Sequence, residues 1–349
     1  MSAPLVVIDA DVLGRERTGD ETYVTALLRE LAGVSDLRFA AVTRRPDLVP
    51  DGIEPVELRA RSQIWRMSAP LPRLLRRLDP AVAHFQHAIP LRCPCRSVVT
   101  IHDLSFERDP GLMSMRDRLV FRTAVPRSAR RADRVLTVSE RTKRDLIELY
   151  DIPHEKIVVT PNGVDSTFSP EGPREDGTPY ALVVGTIQPR KDPESAIEAL
   201  GLLGDDSLRL VFAGPDKGGR GEAERAAANA GLTGRVEFRG HVTLDELAAL
   251  YRGASCLVFP SRYEGFGLPV LEAMASGTPV VATTAGALPE VAGDAAILVE
   301  ERNPAALAGG IERALADHDR LAAAGLERAG HFSWAETARR TVDVYRSLI

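Results

Sequence analysis

Two glutamates with seven residues between them, Glu264 and Glu272, frame the stretch of this chain best equipped for chemistry, SRYEGFGLPVLEAMASGTPVVAT from Ser261 to Thr283. Between the two, Gly265-Phe266-Gly267-Leu268-Pro269 carries the chain from a strand into a helix. The run Ala254–Pro260 is apolar and ends in proline, and Pro269 suits a first helical position, where its missing N–H is no loss. Gly277 stops the helix, and Pro279–Thr283 reads as the next strand. The backbone N–H groups of Gly267 and Leu268 would then point at an anion seated on the helix start, and the glycines let a phosphate come close. One carboxylate can bond hydroxyls on one side of a diphosphate and the other carboxylate those on the opposite side. A ligand with sugar, diphosphate and ribose in a line fits. In isolation, such a pair reads more plainly as two solvated glutamates favoured by the helix dipole.

Other residues join this stretch by placement. Arg190 and Lys191 follow the strand Tyr180–Gly185 in the loop Thr186–Asp192, where two adjacent cations can neutralise a diphosphate and stabilise it as it leaves. His102-Asp103 closes the strand-like run Val98–His102, and strand carboxyl ends border the ligand crevice of an open α/β sheet. Near the amino terminus, Pro4–Asp9 reads as a strand, Asp11–Asp20 as a glycine-containing loop, and Glu21–Ala32 as a helix. That loop is no Gly-x-Gly-x-x-Gly fingerprint, so a nicotinamide dinucleotide is not supported. His84, His154, His318 and His331 read as structural or surface histidines, while His87 stays open. Asp-x-Asp occurs at Asp9-Ala10-Asp11 and Asp317-His318-Asp319, but no cluster at metal-ligand spacing joins either, and a mechanism with no metal and no cofactor is expected.

Strands are expected at Phe39–Thr43, Glu54–Leu58, Val82–Gln86, Ser97–His102 and Arg134–Val138 in the first half, and at Leu208–Gly214 in the second, where Val236–Val242 precedes Thr243. Alternation with helical segments gives an α/β protein with doubly wound sheets. Thr243 and Glu246 spell a capping box. The turn Pro161-Asn162-Gly163 and the polar, proline-rich run Ser169–Pro179 place a domain boundary at 168/169. The expected domains are therefore residues 1–168 and 169–334, with a terminal amphipathic helix from about 335 to 349.

The Glu-x7-Glu pattern within EGFGLPVLEAMASGTPVV, with Arg190 and Lys191, resembles the donor site of glycosyltransferase family 4, and Thr100–Phe106 (TIHDLSF) resembles its mannosyltransferase-like branch. The resemblance spans nearly the whole chain and implies the GT-B fold, two Rossmann-like domains facing across a cleft, with the terminal helix completing the first. It implies retaining transfer of a hexosyl group from a nucleotide sugar, GDP-mannose foremost, to a sugar hydroxyl of a polysaccharide or lipid-linked oligosaccharide. The nucleotide sugar is a substrate, and no cofactor is implied. Glu264 would contact the transferred sugar, Glu272 the ribose, and Arg190 and Lys191 the diphosphate. His102 would orient the sugar, and Val242 would meet the nucleobase through its backbone. Gly19, Gly185, Gly265, Phe266, Gly267 and Leu268 complete the donor set. Asp20-Glu21 depart from the family's loop, which often carries glycine and arginine there. A UDP-sugar-dependent enzyme of the same fold, or a silent nucleotide-sugar-binding protein, is the alternative. A glycan phosphorylase would add a lysine-bound pyridoxal phosphate, and a nucleotide-sugar epimerase would need no acceptor.

Composition is that of an ordinary soluble chain, 44% hydrophobic and 27% charged over 349 residues, long enough for two cores. The three cysteines offer no disulfide framework, no apolar run is long enough to span a bilayer, and residues 1–10 lack the form of a signal peptide. A cytoplasmic location is expected, peripheral on the inner face of the membrane. The net charge of −5 hides a split: 26 Lys and Arg against 23 Asp and Glu up to Pro170, and 18 against 26 beyond it. Between Arg59 and Leu78 lie six arginines and no acid, with Ile64 and Trp65 among them. That stretch suits an anionic membrane surface or acceptor as well as a solvated basic helix. Nucleic acid is excluded as a partner by the lack of a general basic footprint.

Overall fold

A computed structural model of the chain describes residues 3–14, 19–109 and 115–349. Two compact units result, one made of Met1–Gly163 with Ser333–Ile349, the other of Val164–Phe332. The first division falls ahead of the 168/169 position expected from the proline-rich run, at the Pro161-Asn162-Gly163 turn itself.

Unit 1 is built on seven parallel strands: β1 (Leu5–Asp9), β2 (Arg38–Thr43), β3 (Glu54–Glu57), β4 (Val82–Gln86), β5 (Arg96–Ile101), β6 (Arg134–Thr137) and β7 (Ile157–Val159). Their order is β3-β2-β1-β4-β5-β6-β7. The inner strands are buried along nearly their whole length, which is why they read as unbroken apolar runs rather than alternating ones. The expected strands all form, with ends shifted by a residue at most; β5, for example, stops at Ile101 and leaves His102 just past its end. Because the chain winds outward from β1 and then returns to β4 on the other side, the loops after β1 and β4 part there. That topological switch point opens at the strands' carboxyl ends.

Unit 2 repeats the plan with six strands: β8 (Tyr180–Val184), β9 (Arg209–Ala213), β10 (Val236–Gly240), β11 (Cys256–Phe259), β12 (Val280–Thr283) and β13 (Ile297–Val299). The order is β10-β9-β8-β11-β12-β13, so the switch point lies between β8 and β11. Leu182 pairs nowhere by chance: its neighbours are Val211 on β9 and Leu257 on β11, all three buried in the sheet's centre. The Thr243–Glu246 capping box forms as expected.

The terminal helix, Trp334–Arg346, belongs to unit 1, and Ser333 caps it by accepting the Glu336 N–H. It buries Thr337, Thr341, Val342 and Tyr345. A Cβ at Gly163 would lie 2.1 Å from the Trp334 nitrogen, so only glycine lets the turn and the helix start meet. Deeper in, His84 is wholly buried, with Nδ1 2.6 Å from the Tyr345 hydroxyl and Nε2 2.7 Å from the Thr100 hydroxyl. Burial pushes this imidazole down to about 3, with the neighbouring His102 adding to the effect, so it is neutral and one ring nitrogen donates while the other accepts. His84 is therefore the structural residue its position implied.

The arginine-rich stretch forms two helices, Gln63–Ser68 and Pro70–Leu78. Leu71, Leu74 and Leu75 face the core, and Arg66 is buried too, paired with Asp9 at 2.7 and 2.8 Å. Five of the six arginines thus remain at the surface, alongside Ile64 and Trp65, which are 71% and 52% exposed.

Replacing Tyr345 by Phe should leave His84 Nδ1 buried without its partner and destabilise unit 1 by about 1–3 kcal/mol. Chemical denaturation would show this as a lower midpoint, whereas an unchanged midpoint would mean that the helix is held by its apolar face alone.

Candidate functional site

The residues singled out in unit 2 come from the two strands that flank its switch point. Arg190 and Lys191 stand in a short 3-10 turn, Pro189–Lys191, after β8; Glu264 follows β11. The fold brings them into one cluster. Glu264 Oε1 lies 2.7 Å from Lys191 Nζ and 3.1 Å from the Arg190 guanidinium. Arg190 also donates to the Tyr263 carbonyl at 2.6 Å, and its own carbonyl accepts the Arg262 N–H at 2.9 Å. Lys191 Nζ stands 4.5 Å from the centre of the Phe259 ring. Burial of Glu264 would raise its pKa, but Arg190 and Lys191, with hydrogen bonds from Lys191 and Ser261, outweigh that and hold it at about 2. Its carboxylate stays ionised in an enclosed place.

The backbone around Glu264 is shaped by glycines. Gly286 has φ +59, and a Cβ there would lie 2.1 Å from the Glu264 carbonyl oxygen, which also accepts the Ala287 N–H at 2.9 Å. Gly267 caps the helix Leu268–Ala275 in the left-handed region, φ +109, and a Cβ would strike Leu288. Pro269 offers no N–H, and the helix's first backbone bonds run from Val270 and Leu271 to the Gly267 carbonyl. The start of this helix therefore presents backbone amides and the positive end of its dipole beside the Glu264 cluster. Gly185, φ +123, lies where a Cβ would press on the Lys191 side chain at 3.4 Å.

Glu272 sits one turn into that helix, half-buried, and accepts a hydrogen bond from Tyr251 at 2.8 Å. Phe266 is buried with its ring edge-on to Phe332, so its side chain packs and its backbone is what remains for a ligand. Val242 stands in the turn after β10, at the sheet edge two strands away from β8.

In unit 1, His102 follows β5 and is held on several sides. Its Nε2 is 2.9 Å from Gln86 Oε1, its carbonyl accepts the Thr142 hydroxyl at 3.2 Å, and Tyr23 lies edge-on with ring centres 4.8 Å apart. Burial dominates and lowers its pKa to about 4, against the pull of Asp20, so this imidazole is neutral. His87, after β4, takes a left-handed backbone, φ +60, and its Nε2 meets Asp20 Oδ2 at 3.0 Å. Burial alone would lower the His87 pKa; Asp20 and Asp103 raise it instead. Spacing along the chain offers no metal-ligand set, yet among the described residues the fold assembles one candidate: Asp20, His87 and His102 each present a ligand atom within 4.8 Å of the others. Gly19 opens the helix Gly19–Leu31, with open space where a Cβ would stand; the middle of the expected glycine loop, residues 15–18, lies outside the described residues.

Sequence reasoning thus found Glu264, Arg190 and Lys191, which the fold gathers. It missed Gly286, Tyr251, Gln86 and Asp20, whose partners are remote in the chain. An isolated glycine after a strand was the one visible signal for Gly286.

Comparison with known proteins identifies a family for the chain. A family model described as "Glycosyl transferases group 1" matches residues 165–328, and one described as "Glycosyltransferase Family 4" matches residues 17–168. The O-antigen chain mannosyltransferase B of Escherichia coli is 32% identical over 271 residues, 72% of this chain and 71% of that protein. The chain spans about half the length of other curated relatives it matches, D-inositol 3-phosphate glycosyltransferases among them. Among solved structures, the sucrose-phosphate synthase of Thermosynechococcus elongatus superposes with a TM-score of 0.83 at 23% identity, over 99% of both chains. Anabaena Alr3699/HepE in complex with UDP-glucose gives 0.78 at 16% identity, over 98% of this chain and 99% of that one.

The Glu264 cluster makes a stability prediction with a definite sign. A carboxyl lowered from 4.5 to about 2 contributes stability that is full above the unfolded value and is lost as pH falls from about 4.5 to about 2. Glu264→Gln should cost about 3 kcal/mol near neutrality, and the gap to the parent should close across that acid window. Denaturation measured along a pH series checks it; a gap that does not change with pH would contradict the pairing.

Proposed function

The chain belongs to glycosyltransferase family 4 and has the GT-B fold, and from that premise we propose that it transfers a mannosyl group, with retention, from GDP-mannose to a sugar hydroxyl of a polysaccharide or lipid-linked oligosaccharide. The observation that carries this reading is the placement of Glu264, Arg190 and Lys191 at the switch point of unit 2, beside the amide-bearing helix start at Gly267-Leu268.

In this reading the donor's diphosphate lies against that helix start and takes up the charge of Arg190 and Lys191. Glu264, released from part of its pairing, turns to the hydroxyls of the sugar, and Glu272, steadied by Tyr251, bonds the ribose. His102 is assigned, as family membership implies, to orienting a sugar hydroxyl; a neutral imidazole fixed by Gln86 suits an uncharged hydroxyl. The anomeric carbon–phosphate oxygen bond breaks as the acceptor oxygen adds on the same face. The leaving phosphate takes the acceptor's proton, and the two cations stabilise the charge that develops on it. Retention and this same-face course come from family membership. Mannose as the sugar is supported by the Thr100–Phe106 segment and by the named activity of the Escherichia coli relative.

An acceptor carried on a lipid would need a route to a surface. No described helix is long and apolar enough to cross a membrane. Exposed Ile64 and Trp65 among the surface arginines of residues 59–78 support contact with an anionic bilayer instead.

Thermal stabilisation against a panel of nucleotides and nucleotide sugars tests the donor. A ligand at 100 times its dissociation constant should stabilise the fold by roughly 2.7 kcal/mol. GDP and GDP-mannose should raise the midpoint, and Arg190→Ala should abolish most of the shift. A response to UDP compounds alone would move the enzyme to a UDP-sugar, the kind of donor seen in Alr3699/HepE. No response to either would overturn the donor site. For the surface, the chain should sediment with phosphatidylglycerol vesicles and less so as Ile64→Ser/Trp65→Ser; equal sedimentation of both would contradict the contact.

A further inference from the structure

Three metal-ligating side chains converge in unit 1, and the donor reading uses only one of them. Asp20 lies in the first turn of the helix after β1, His87 at the end of β4 and His102 at the end of β5, so the loops of three adjacent strands meet. One ligand atom from each lies within 4.8 Å of the others. Asp20 Oδ2 is 3.0 Å from His87 Nε2, and Asp20 Oδ1 is 3.9 Å from His102 Nε2.

The two histidines are fixed from outside the cluster. His87 holds a left-handed backbone that a non-glycine residue adopts only when its surroundings impose it, and its N–H donates to the Thr100 carbonyl at 2.8 Å. Thr142 and Tyr23 hold His102. Two buried polar atoms here, Gln86 Nε2 and His87 Nδ1, have no hydrogen-bond partner among the described residues, which marks the place as chemically unfinished.

We infer that Asp20, His87 and His102 form a binding site for one transition-metal ion of the zinc type, with a fourth position left to Gln86 Oε1 or water. Two imidazoles and one carboxylate favour Zn²⁺, Co²⁺ or Ni²⁺ over Mg²⁺ or Ca²⁺, which prefer oxygen ligands throughout. Bonds of about 2.0–2.2 Å would set the ligand atoms roughly 3.3 Å apart, so the Asp20–His87 pair is already close and the other pairs need closing by about 1 Å or so. On binding, the ion takes the place of the Asp20–His87 hydrogen bond, whose proton passes to solvent or to the ring's Nδ1. The site is a place of control rather than of chemistry. Resting on the assignment of His102 to the transferred sugar, ion and donor sugar exclude one another, and the ion inhibits.

Calorimetric titration of Zn²⁺ into the full chain, stripped beforehand with a chelator, tests the site directly. One ion per chain should bind, weakened about 100-fold or more by Asp20→Asn or His87→Gln. The exposed His318→Gln should bind as the parent does. Circular dichroism confirms that the variants fold. Should they not, Co²⁺-loaded parent protein gives a second readout, because two ligating imidazoles produce two paramagnetically shifted, exchangeable N–H proton signals. No stoichiometric uptake, or uptake that survives both substitutions, or fewer than two such signals, would overturn the site. Uptake indifferent to nucleotide sugar would uphold the site and overturn the exclusion; failure of the nucleotide panel with intact Zn²⁺ uptake would fall on the donor reading alone.

Discussion

A buried carboxylate held between two cations governs the second unit. Glu264 is enclosed, ionised and within 3.1 Å of both Arg190 and Lys191. Such a charge is tolerable only because its partners come with it. The partners come because β8 and β11 are neighbours, and that adjacency is what the winding order β10-β9-β8-β11-β12-β13 creates. Topology, electrostatics and site are thus one fact at three scales. Gly286 and Gly267 are the local terms of the same arrangement, since any side chain there would displace Glu264 or close the helix start.

Unit 1 reaches its own switch point by different chemistry. Its buried polar groups are mostly uncharged or self-neutralising: His84 between Tyr345 and Thr100, and Arg66 against Asp9, with the half-buried His87 against Asp20. The His84 contact ties the last helix to the middle of the sheet, which makes the discontinuous unit a single core. A neutral His102 at the sheet's end is suited to hydroxyls, whereas the cationic pair of unit 2 is suited to phosphates.

Much of this was legible in the chain. Apolar runs marked the strands, because strands buried on both faces have no polar side to interrupt them, and Gly-Phe-Gly-Leu-Pro marked the strand-to-helix passage. Contacts made across the chain were not legible. Nothing in the spacing shows that Arg66 is buried against Asp9, so the basic stretch looked more uniform than it is. Nor does it show that Asp20 meets His87, residues separated by three intervening strands in sequence. The proline-rich run is conspicuous in the sequence, whereas the two units divide after Gly163, whose close approach to Trp334 no local pattern reveals.

A crystal structure of the full chain with GDP-mannose tests the central claim most directly. The account predicts diphosphate oxygens within hydrogen-bond reach of the Gly267 and Leu268 amides, with Arg190 and Lys191 turned toward them and Glu264 on the sugar. A diphosphate bound elsewhere, with the Glu264–Lys191 pair undisturbed, would contradict it.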